Sequence, residues 1–420
     1  MNRLQELIHS KLPAAKSQLR SLKALKLPLG PIQVKHVLNG LRGAKVLNWT
    51  CGTQDPKKGL LIRGLPIEEV VVRLPRRNTA PLPEGLLWFL LTGRMPKGQE
   101  LEEFLADIRQ RAILPSHTAE IVQKLPAGLP LLTKLSIGLM TMQPDSHFAR
   151  SYAAKAPRAD LWSHCLEDSI TIFSRLPSLL ALVYKSQPLS EFTDYAQAIA
   201  HAVQGKPDGR LTDVLRLLIV VLAEGDGGSV SSHASKAVSS TLSDPYLALA
   251  AGFNALSGPR HAKASQDAME FLWSLSDRLG HLPSDPAISA AFKEIQGTQS
   301  PIPGFGHAIL QVPDKRFALI MDYMKTIAPS DPRLSLADRL QFLGTEVLKA
   351  SAMRNPAPNA DLAVAAALGA VGLRDSELCL AIFALGRTLG ILSNMVWDRA
   401  LQIPIEYGVS VDLEELEQLK

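Results

Sequence analysis

The chain has 420 residues, of which 46% are hydrophobic and 20% are charged, a composition typical of a globular protein with a large buried interior. Its net charge is +5 at pH 7, but no recognition motif accompanies the scattered basic residues, so the sequence does not predict a nucleic-acid partner. Cys51, Cys165 and Cys379 lie far apart without a CxxC pair, which argues against a metal site or a disulfide framework. This cysteine usage favours a reducing compartment.

The N-terminal segment carries Arg3, Lys11 and Lys16 on an amphipathic background, as a transit peptide does. Glu6 and the lack of a cleavage-like pattern of small residues argue against that interpretation, so we expect this segment to form the first helix. We therefore predict a cytoplasmic location, with the mitochondrial matrix as the alternative if a transit peptide is missing from this sequence. No uninterrupted apolar stretch in the sequence is long enough to cross a bilayer, so we expect no membrane span.

The apolar residues recur mostly at helical spacing along the chain. Three stripes show this best: Leu4, Leu7 and Ile8; Val214, Leu217, Leu218 and Val221; and Met269, Leu272, Trp273 and Leu275. The exception is residues 60–73, where Leu61, Ile62 and the valines at 70–72 predict a short strand or hairpin near the surface. Pro and Gly breaks divide the rest into helices of ordinary length. The sequence therefore predicts an all-α fold.

Several familiar enzyme classes lack their starting motifs here. The Gly-rich turn at 225–228 has neither the spacing and lysine of a phosphate loop nor the dinucleotide pattern after a strand. No HExxH and no GxSxG sequence occurs, which excludes the usual metalloprotease and α/β-hydrolase sites. Two histidines and one aspartate remain, each beside a Gly or Pro break: His261 in GPRH, His307 in PGFGH and Asp361 in NPAPNAD.

One aspartate and two histidines suit the formation of a carbon-carbon bond from a thioester. A carboxylate can remove a proton from the carbon beside the thioester carbonyl. Two neutral hydrogen-bond donors can then stabilise the enolate oxygen and polarise the carbonyl that is attacked. The alternative is that each histidine caps a helix or fills a polar niche.

These motifs, in this order, resemble those of the citrate synthase family, and the resemblance covers nearly the whole chain. Further matching stretches are PEGL at 83–86, LPSH at 114–117, LSDPY at 242–246 and WDRAL at 397–401. The resemblance implies that Asp361 is the general base, that His261 donates to the thioester enol and that His307 donates to the carbonyl of a 2-oxo acid. It also implies that Arg316 and Arg387 bind substrate carboxylate.

The resemblance further implies a helical homodimer in which a small domain closes over the substrates. The large domain would comprise residues 1–262 and 365–420, and the small domain residues 263–364. The substrates would be an acyl-CoA and a 2-oxo acid, with no cofactor beyond the CoA thioester and no metal. Arg42, Arg158 and Arg354 fall where CoA-binding cations are expected.

The sequence departs from the family pattern at the positions that recognise the oxo acid. Gly225 stands where the family has a substrate-binding histidine, and Ser229 replaces the asparagine that follows it. Tyr407 replaces an arginine that, in the family, reaches the site from the partner subunit. Arg260 replaces a leucine beside His261 and is a candidate for the missing cation. In the CoA region, Gln311 and Ala352 replace basic residues, although Arg354 is close in sequence.

Three functional interpretations follow. The first is an acyl-CoA-dependent C-acyltransferase whose oxo-acid pocket has been rebuilt, and this is our prediction. The second is ordinary citrate or 2-methylcitrate synthesis with compensating residues. The third is a citrate synthase-like binding or structural protein without activity, because a fold does not determine a function.

Overall fold

A computed structural model describes residues 3–185, 187, 189, 191–205, 209–224, 226–280, 283–298, 302–350 and 355–419. In these ranges the chain forms twenty α-helices and five short strands, so the prediction of an all-α fold is confirmed. The helices α1 to α20 are Arg3–Lys23, Val34–Leu38, Ile67–Arg73, Pro83–Thr92, Gly98–Arg111, Ser116–Val122, Leu131–Thr141, His147–Ala153, Leu161–Lys185, Tyr195–Gln204, Gly209–Leu222, Val230–Ser240, Pro245–Leu256, Ala264–Leu279, Asp285–Thr298, Lys315–Ile327, Pro332–Lys349, Ala360–Ala370, Ser376–Ala400 and Leu413–Glu417. The strands β1 to β5 are Gly52–Asp55, Gly59–Ile62, Leu65–Pro66, Arg76–Arg77 and Ala80–Pro81.

The three apolar stripes that the sequence shows lie in α1, α11 and α14, as predicted. In α1, Leu4 and Ile8 are buried while the opposite face is exposed, which is the pattern of a helix lying on the surface of a core. In α11 nearly every residue from Leu211 to Leu222 is buried, so this helix crosses the interior.

The strands form two small antiparallel sheets near the start of the chain. In the larger one β1 pairs with β2 from Gly52 opposite Ile62 to Asp55 opposite Gly59, and β2 pairs with β3. The predicted strand at Leu61 and Ile62 is therefore present, but the valines at 70–72 belong to α3 instead. Val70 and Val71 are buried while Val72 is 71% exposed, so this run of β-branched residues turns its apolar side to the core with helical periodicity.

Helix α19 crosses the centre of the protein and contacts α9, α11, α14 and α4. By length and composition it could cross a membrane, yet all of its most apolar window is buried inside the protein. The sequence does not show α19 as an uninterrupted apolar run, because Arg387, Asp398 and Arg399 interrupt it. A helix buried on all sides is also what the core of a large globular fold requires, and α19 lies in that position here.

Three connections between helices carry the residues singled out by the sequence. The turn at 257–263 joins α13 to α14, the segment at 302–314 leads into α16, and the segment at 355–359 leads into α18. The division into a large domain and a small domain at residues 263–364 stays a prediction, and its second boundary lies within α18.

Candidate active site

The segments that carry His307 and Asp361 are held side by side by backbone hydrogen bonds. Gly306 donates its N–H to the Ala357 carbonyl at 3.0 Å, and Asn359 donates its own to the Gly304 carbonyl at 2.9 Å. Gly304 and Gly306 both have φ near +80°, a conformation that glycine adopts without strain. A Cβ atom at Gly304 would also lie 2.9 Å from Leu362 Cβ, so the two segments approach too closely for a larger residue.

Asp361 lies in the first turn of α18, where the side chain of Asn359 caps the helix. The Asn359 carboxamide oxygen accepts the Asp361 N–H at 3.0 Å, and its nitrogen donates to the Gly306 carbonyl at 2.9 Å. Burial raises the pKa of Asp361 to about 6, against the opposing effect of the Arg316 and Arg387 charges. Its carboxylate accepts no hydrogen bond from any residue in the described ranges. An ionised, unpaired carboxylate is therefore present at neutral pH.

The ring of His307 is fixed in one tautomer by the backbone that follows it. Its Nδ1 accepts the N–H groups of Ile309 and Leu310, both at 3.0 Å. Because Nδ1 must be unprotonated to accept them, the proton of the neutral ring is on Nε2. Burial and the nearby Arg316 charge lower the pKa of His307 to about 4. His307 is thus a neutral donor through Nε2 at neutral pH.

His261 is held in the opposite tautomer by Ser231, at the start of α12. The Ser231 N–H donates to His261 Nε2 at 3.2 Å, and the Ser231 hydroxyl lies 3.0 Å from the same nitrogen. The proton of the neutral ring is therefore on Nδ1. Burial and the Arg387 charge lower the pKa of His261 to about 4. Sequence reasoning missed Ser231, because a serine thirty residues away carries no local signal of this contact.

Arg316 and Arg387 are both buried, with 6% and 4% of their surface exposed. Arg316 forms a two-point ion pair with Asp314, through Nη2 at 2.7 Å and Nε at 3.0 Å. Arg387 has no acidic partner in the described ranges; it donates to the Ser229 hydroxyl at 2.9 Å and lies over the Phe383 ring. Burial lowers the pKa of Arg387 to about 10, which still leaves it charged at neutral pH.

The two arginines link the three residues electrostatically. The charge of Arg387 acts on both His261 and Asp361, and the charge of Arg316 acts on both His307 and Asp361. The tertiary structure therefore brings together five residues that the sequence distributes between positions 261 and 387.

The other predicted binding residues are not part of this buried cluster. Arg260 adjoins His261 in the chain but has an exposed side chain, and Arg42 and Arg158 are also exposed. Tyr407 is 89% exposed on this single chain. Arg354, like Ala352 and Gly225, lies outside the described residues.

The described residues include no group of three or more metal-ligating side chains. What the cluster can do follows from its own groups: one free carboxylate can accept a proton, and two neutral imidazoles can each donate a hydrogen bond. One unpaired guanidinium is available to bind an anionic group.

Comparison with known proteins identifies the family. Residues 40–405 match the profile of "Citrate synthase, C-terminal domain". The mitochondrial citrate synthase of Daucus carota is 33% identical, with 99% of this chain and 90% of the relative aligned. A mitochondrial 2-methylcitrate synthase of Aspergillus fumigatus is 30% identical over 92% of this chain and 86% of its own length.

The fold agrees with this similarity in sequence. The crystal structure of a citrate synthase from Pyrobaculum aerophilum superposes with a TM-score of 0.76 at 20% identity, covering 93% of this chain and 94% of the other. On the profile match and the near full-length identity, this chain belongs to the citrate synthase family of condensing enzymes, which use a CoA thioester as substrate and need no further cofactor.

Proposed function

We propose that this protein condenses an acyl-CoA with a 2-oxo acid and then releases CoA by hydrolysis of the thioester. The proposal rests on one combination of groups. The Asp361 carboxylate has no ion-pair partner among the described residues, and the two neutral imidazoles of the same cluster are held in opposite tautomers. A histidine that only fills a surface niche would not need both rings to be half-buried and each to direct one N–H away from its backbone partner.

In the first step Asp361 would take a proton from the carbon next to the thioester carbonyl. The Nδ1–H of His261 would donate a hydrogen bond to the oxygen of the resulting enolate. Because a neutral donor meets a developing negative charge in a site shielded from water, this contact is stronger in the transition state than in the ground state. The low pKa of His261 supports its acting as a neutral donor.

In the second step the enolate carbon would attack the carbonyl carbon of the 2-oxo acid. The Nε2–H of His307 would donate a hydrogen bond to the carbonyl oxygen as that oxygen gains negative charge. The proton that Asp361 removed in the first step balances the one that the resulting alkoxide takes up to form a hydroxyl group, and Asp361 is then ionised again. A water molecule then cleaves the thioester, giving the free acid and the thiol of CoA. The oxygen of that water stays on the new acid, and one of its protons goes to the departing thiolate.

The charge around the oxo acid favours a substrate with one carboxylate. Arg387 is without an acidic partner in the described ranges, whereas Arg316 is already bound at two points by Asp314. Gly225 and Tyr407 supply no positive charge where the family pattern has a histidine and an arginine. A charge-assisted hydrogen bond contributes about 1.5–3 kcal/mol, so losing two would weaken binding of a dicarboxylate severely. We therefore propose a monocarboxylic or less polar 2-oxo acid.

The alternative is ordinary citrate or 2-methylcitrate synthesis, which the names of the two relatives favour. In that case Arg260, next to His261 in the chain, would turn inward and supply the second cation. A binding protein without activity is less well supported, because the carboxylate and both tautomers suited to the reaction are retained.

The remaining binding roles are proposals of the same kind. Arg42, Arg158 and Arg354 would contact the phosphates of CoA, and closure of residues 263–364 over the cleft would exclude water. The names of these two relatives favour a mitochondrial location, whereas the three cysteines without a pair are equally compatible with the cytoplasm.

We also propose a homodimer. Exposed apolar side chains are concentrated near both ends of the chain, including Leu27, Leu29 and Ile32 on one side and Ile405 and Val409 on the other. Burying such residues against a second copy would remove apolar surface from water. Light scattering should give twice the 45.6 kDa chain mass. A stable, fully active monomer would exclude a role for Tyr407 in a neighbouring site.

The function is tested by thiol release from acetyl-CoA and longer acyl-CoAs with a panel of 2-oxo acids. We expect kcat/KM to be higher for monocarboxylic acids than for oxaloacetate, and the double variant Gly225→His with Tyr407→Arg to shift the preference toward oxaloacetate. If the parent prefers oxaloacetate by orders of magnitude and Arg260→Leu leaves this unchanged, the proposed pocket is wrong. No thiol release with any pair would overturn the enzymatic proposal.

A further inference from the structure

A polar cavity of about 420 Å³ lies outside the catalytic cluster. Its lining includes Lys11, Trp49, Thr50, Thr53, Arg63 and Gly93, which come from α1, from the segment around β1, from the turn after β2 and from the end of α4. None of these residues has a role in the proposed reaction. This volume is in the range of sites that bind small molecules.

The cavity lining includes two positive charges and no acidic residue, and the nearest carboxylate that acts on Arg63 is that of buried Glu224 behind the wall. Lys11 and Arg63 form no ion pair in the described part of the chain, whereas the neighbouring Arg94 is neutralised by Glu100 at 2.8 Å. Burial and the charges of Arg63 and Arg94 lower the pKa of Lys11. Like charges placed together destabilise one another unless an anion binds between them.

Arg63 is held rigidly with one side of its guanidinium unused. Its Nε donates to the Leu90 carbonyl at 2.8 Å, Nη2 donates to the same oxygen, and the group lies 5.2 Å from the centre of the Trp397 ring. Nη1 has no hydrogen-bond partner among the described residues. A guanidinium anchored in this way can bind an anion with little further loss of conformational freedom.

The turn that presents Arg63 is strained. Arg63 and Gly64 form the two-residue connection between β2 and β3 with φ values of +48° and +81°. Turns of this kind favour Asn-Gly or Gly-Gly, and a non-glycine residue at positive φ costs on the order of 1 kcal/mol. This turn places the Arg63 side chain both against the end of α4 and beside the cavity.

Gly93 keeps the space between the two cations open. It ends α4 with φ of +68°, and a Cβ atom there would lie 3.4 Å from Lys11 Nζ and 4.0 Å from Arg63 Nη1. Both nitrogens therefore converge on one point of the cavity wall. The hydroxyl groups of Thr50 and Thr53 add neutral donors to the same lining.

We propose that this cavity is a binding site for a small multivalent anion, bound between Lys11 and Arg63. The chemistry of the lining fits a phosphorylated small molecule or a polycarboxylate, since both present several anionic oxygens to separate cationic donors. The site is distinct from the catalytic cluster, although Trp49 lines it and also donates to Glu224 at 3.0 Å.

Isothermal titration of pyrophosphate, and separately of citrate, into the full-length protein at about 0.1 M salt tests the proposal and distinguishes the two anion classes. We expect saturable binding of at least one probe. Lys11→Ala, at an exposed side chain that should not affect folding, should weaken it about tenfold, a change of about 1.4 kcal/mol. Thr50→Glu should weaken it further by adding a negative charge to the lining.

Lys23→Ala is the matched control, because it removes the same charge from an exposed position of the same helix. Arg387→Met separates binding in this cavity from binding in the catalytic cleft. The proposal is overturned if neither anion binds saturably, if Lys11→Ala and Lys23→Ala bind alike, or if only Arg387→Met loses binding.

Discussion

Among the described residues, the buried charges around Asp194 and those of the catalytic cluster differ in how completely they satisfy one another. In the group around Asp194, Arg216 donates to Asp194 at 2.7 Å and also pairs with Asp213, while Arg77 contacts Asp194 at 3.1 Å. In the catalytic cluster, Asp361 and Arg387 form no ion pair with any described residue.

The pKa values reflect this difference. Burial alone would raise the pKa of Asp194, but the hydrogen bonds and charge of Arg216 hold this pKa below its ordinary value. Burial dominates at Asp361 and raises its pKa to about 6. Asp194 is buried and Asp361 is half-buried, and both lie near arginines. The charge of Asp194 is neutralised by its neighbours, whereas Asp361 is left able to exchange a proton. The cluster around Asp361, where charged groups lack ion-pair partners, is therefore suited to chemistry, whereas the fully paired group around Asp194 is suited to stability.

The largest effect should come from removing the base. Asp361→Asn has nearly the same shape but cannot accept a proton, so we expect kcat to fall by about 10²–10⁴-fold while the fold is retained. Steady-state thiol release measures the loss, and thermal unfolding checks the fold. Asp322→Asn, at an exposed position of α16, is the matched control. Near-parental turnover in Asp361→Asn would remove Asp361 from the mechanism.

Removing one arginine from each group should separate stability from activity. Arg216→Met would leave Asp194 and Asp213 without their buried partner, and we expect the free energy of unfolding to fall by about 3–5 kcal/mol. Arg387→Met breaks no ion pair among the described residues, so its main effect should be a higher KM for the 2-oxo acid. Urea unfolding and steady-state kinetics on both variants give the comparison, with exposed Arg20→Met as control. Equal losses of stability would contradict the proposed difference.

The pH profile should report the free carboxylate. A protonated Asp361 cannot act as a base, so kcat/KM should fall by about tenfold per pH unit below pH 6. His261 and His307, with pKa values of about 4, stay neutral over that range and should not contribute. Measurement from pH 5 to 8 at constant ionic strength tests this. A flat profile down to pH 5 would show that another group is the base.

The smallest effect concerns Glu84, in the α4 helix beside the Asp194 group. Its Oε1 accepts the Tyr195 N–H at 2.5 Å, and its Oε2 has no hydrogen-bond partner among the described residues. Burial raises the pKa of Glu84 to about 8. The folded state therefore holds a proton that the unfolded state releases above about pH 4.5. This contribution to stability is complete at low pH and is lost as the pH rises toward 8.

Glu84→Gln should abolish that dependence, because an amide does not titrate. We expect the difference in unfolding free energy between the parent and Glu84→Gln to change by on the order of 1 kcal/mol per pH unit between pH 5 and 8. Urea unfolding at four pH values measures it. A constant difference across this range would mean that Glu84 is ionised in the folded protein.

Much of the helical fold could be predicted from local patterns. The stripes that begin at Leu4, Val214 and Met269 each lie in a helix, because a 3.6-residue period of apolar side chains can be buried in only one regular way. The prediction of a strand at the valines 70–72 is wrong, because packing of this segment against the core as a helix outweighs the preference of β-branched residues for strands. The full length of α19 is not evident in the sequence, because its buried charged residues look like interruptions of the apolar run.

The sequence by itself determined the residue types available for chemistry: an aspartate, two histidines and two arginines, in an order that resembles one family. Only the tertiary structure decided their states. The contact from Ser231 selects the tautomer of His261, and Asp314 occupies Arg316 while Arg387 stays unpaired. Proton positions and pKa values depend on atoms brought within a few ångströms by folding, and no spacing along the chain specifies those distances.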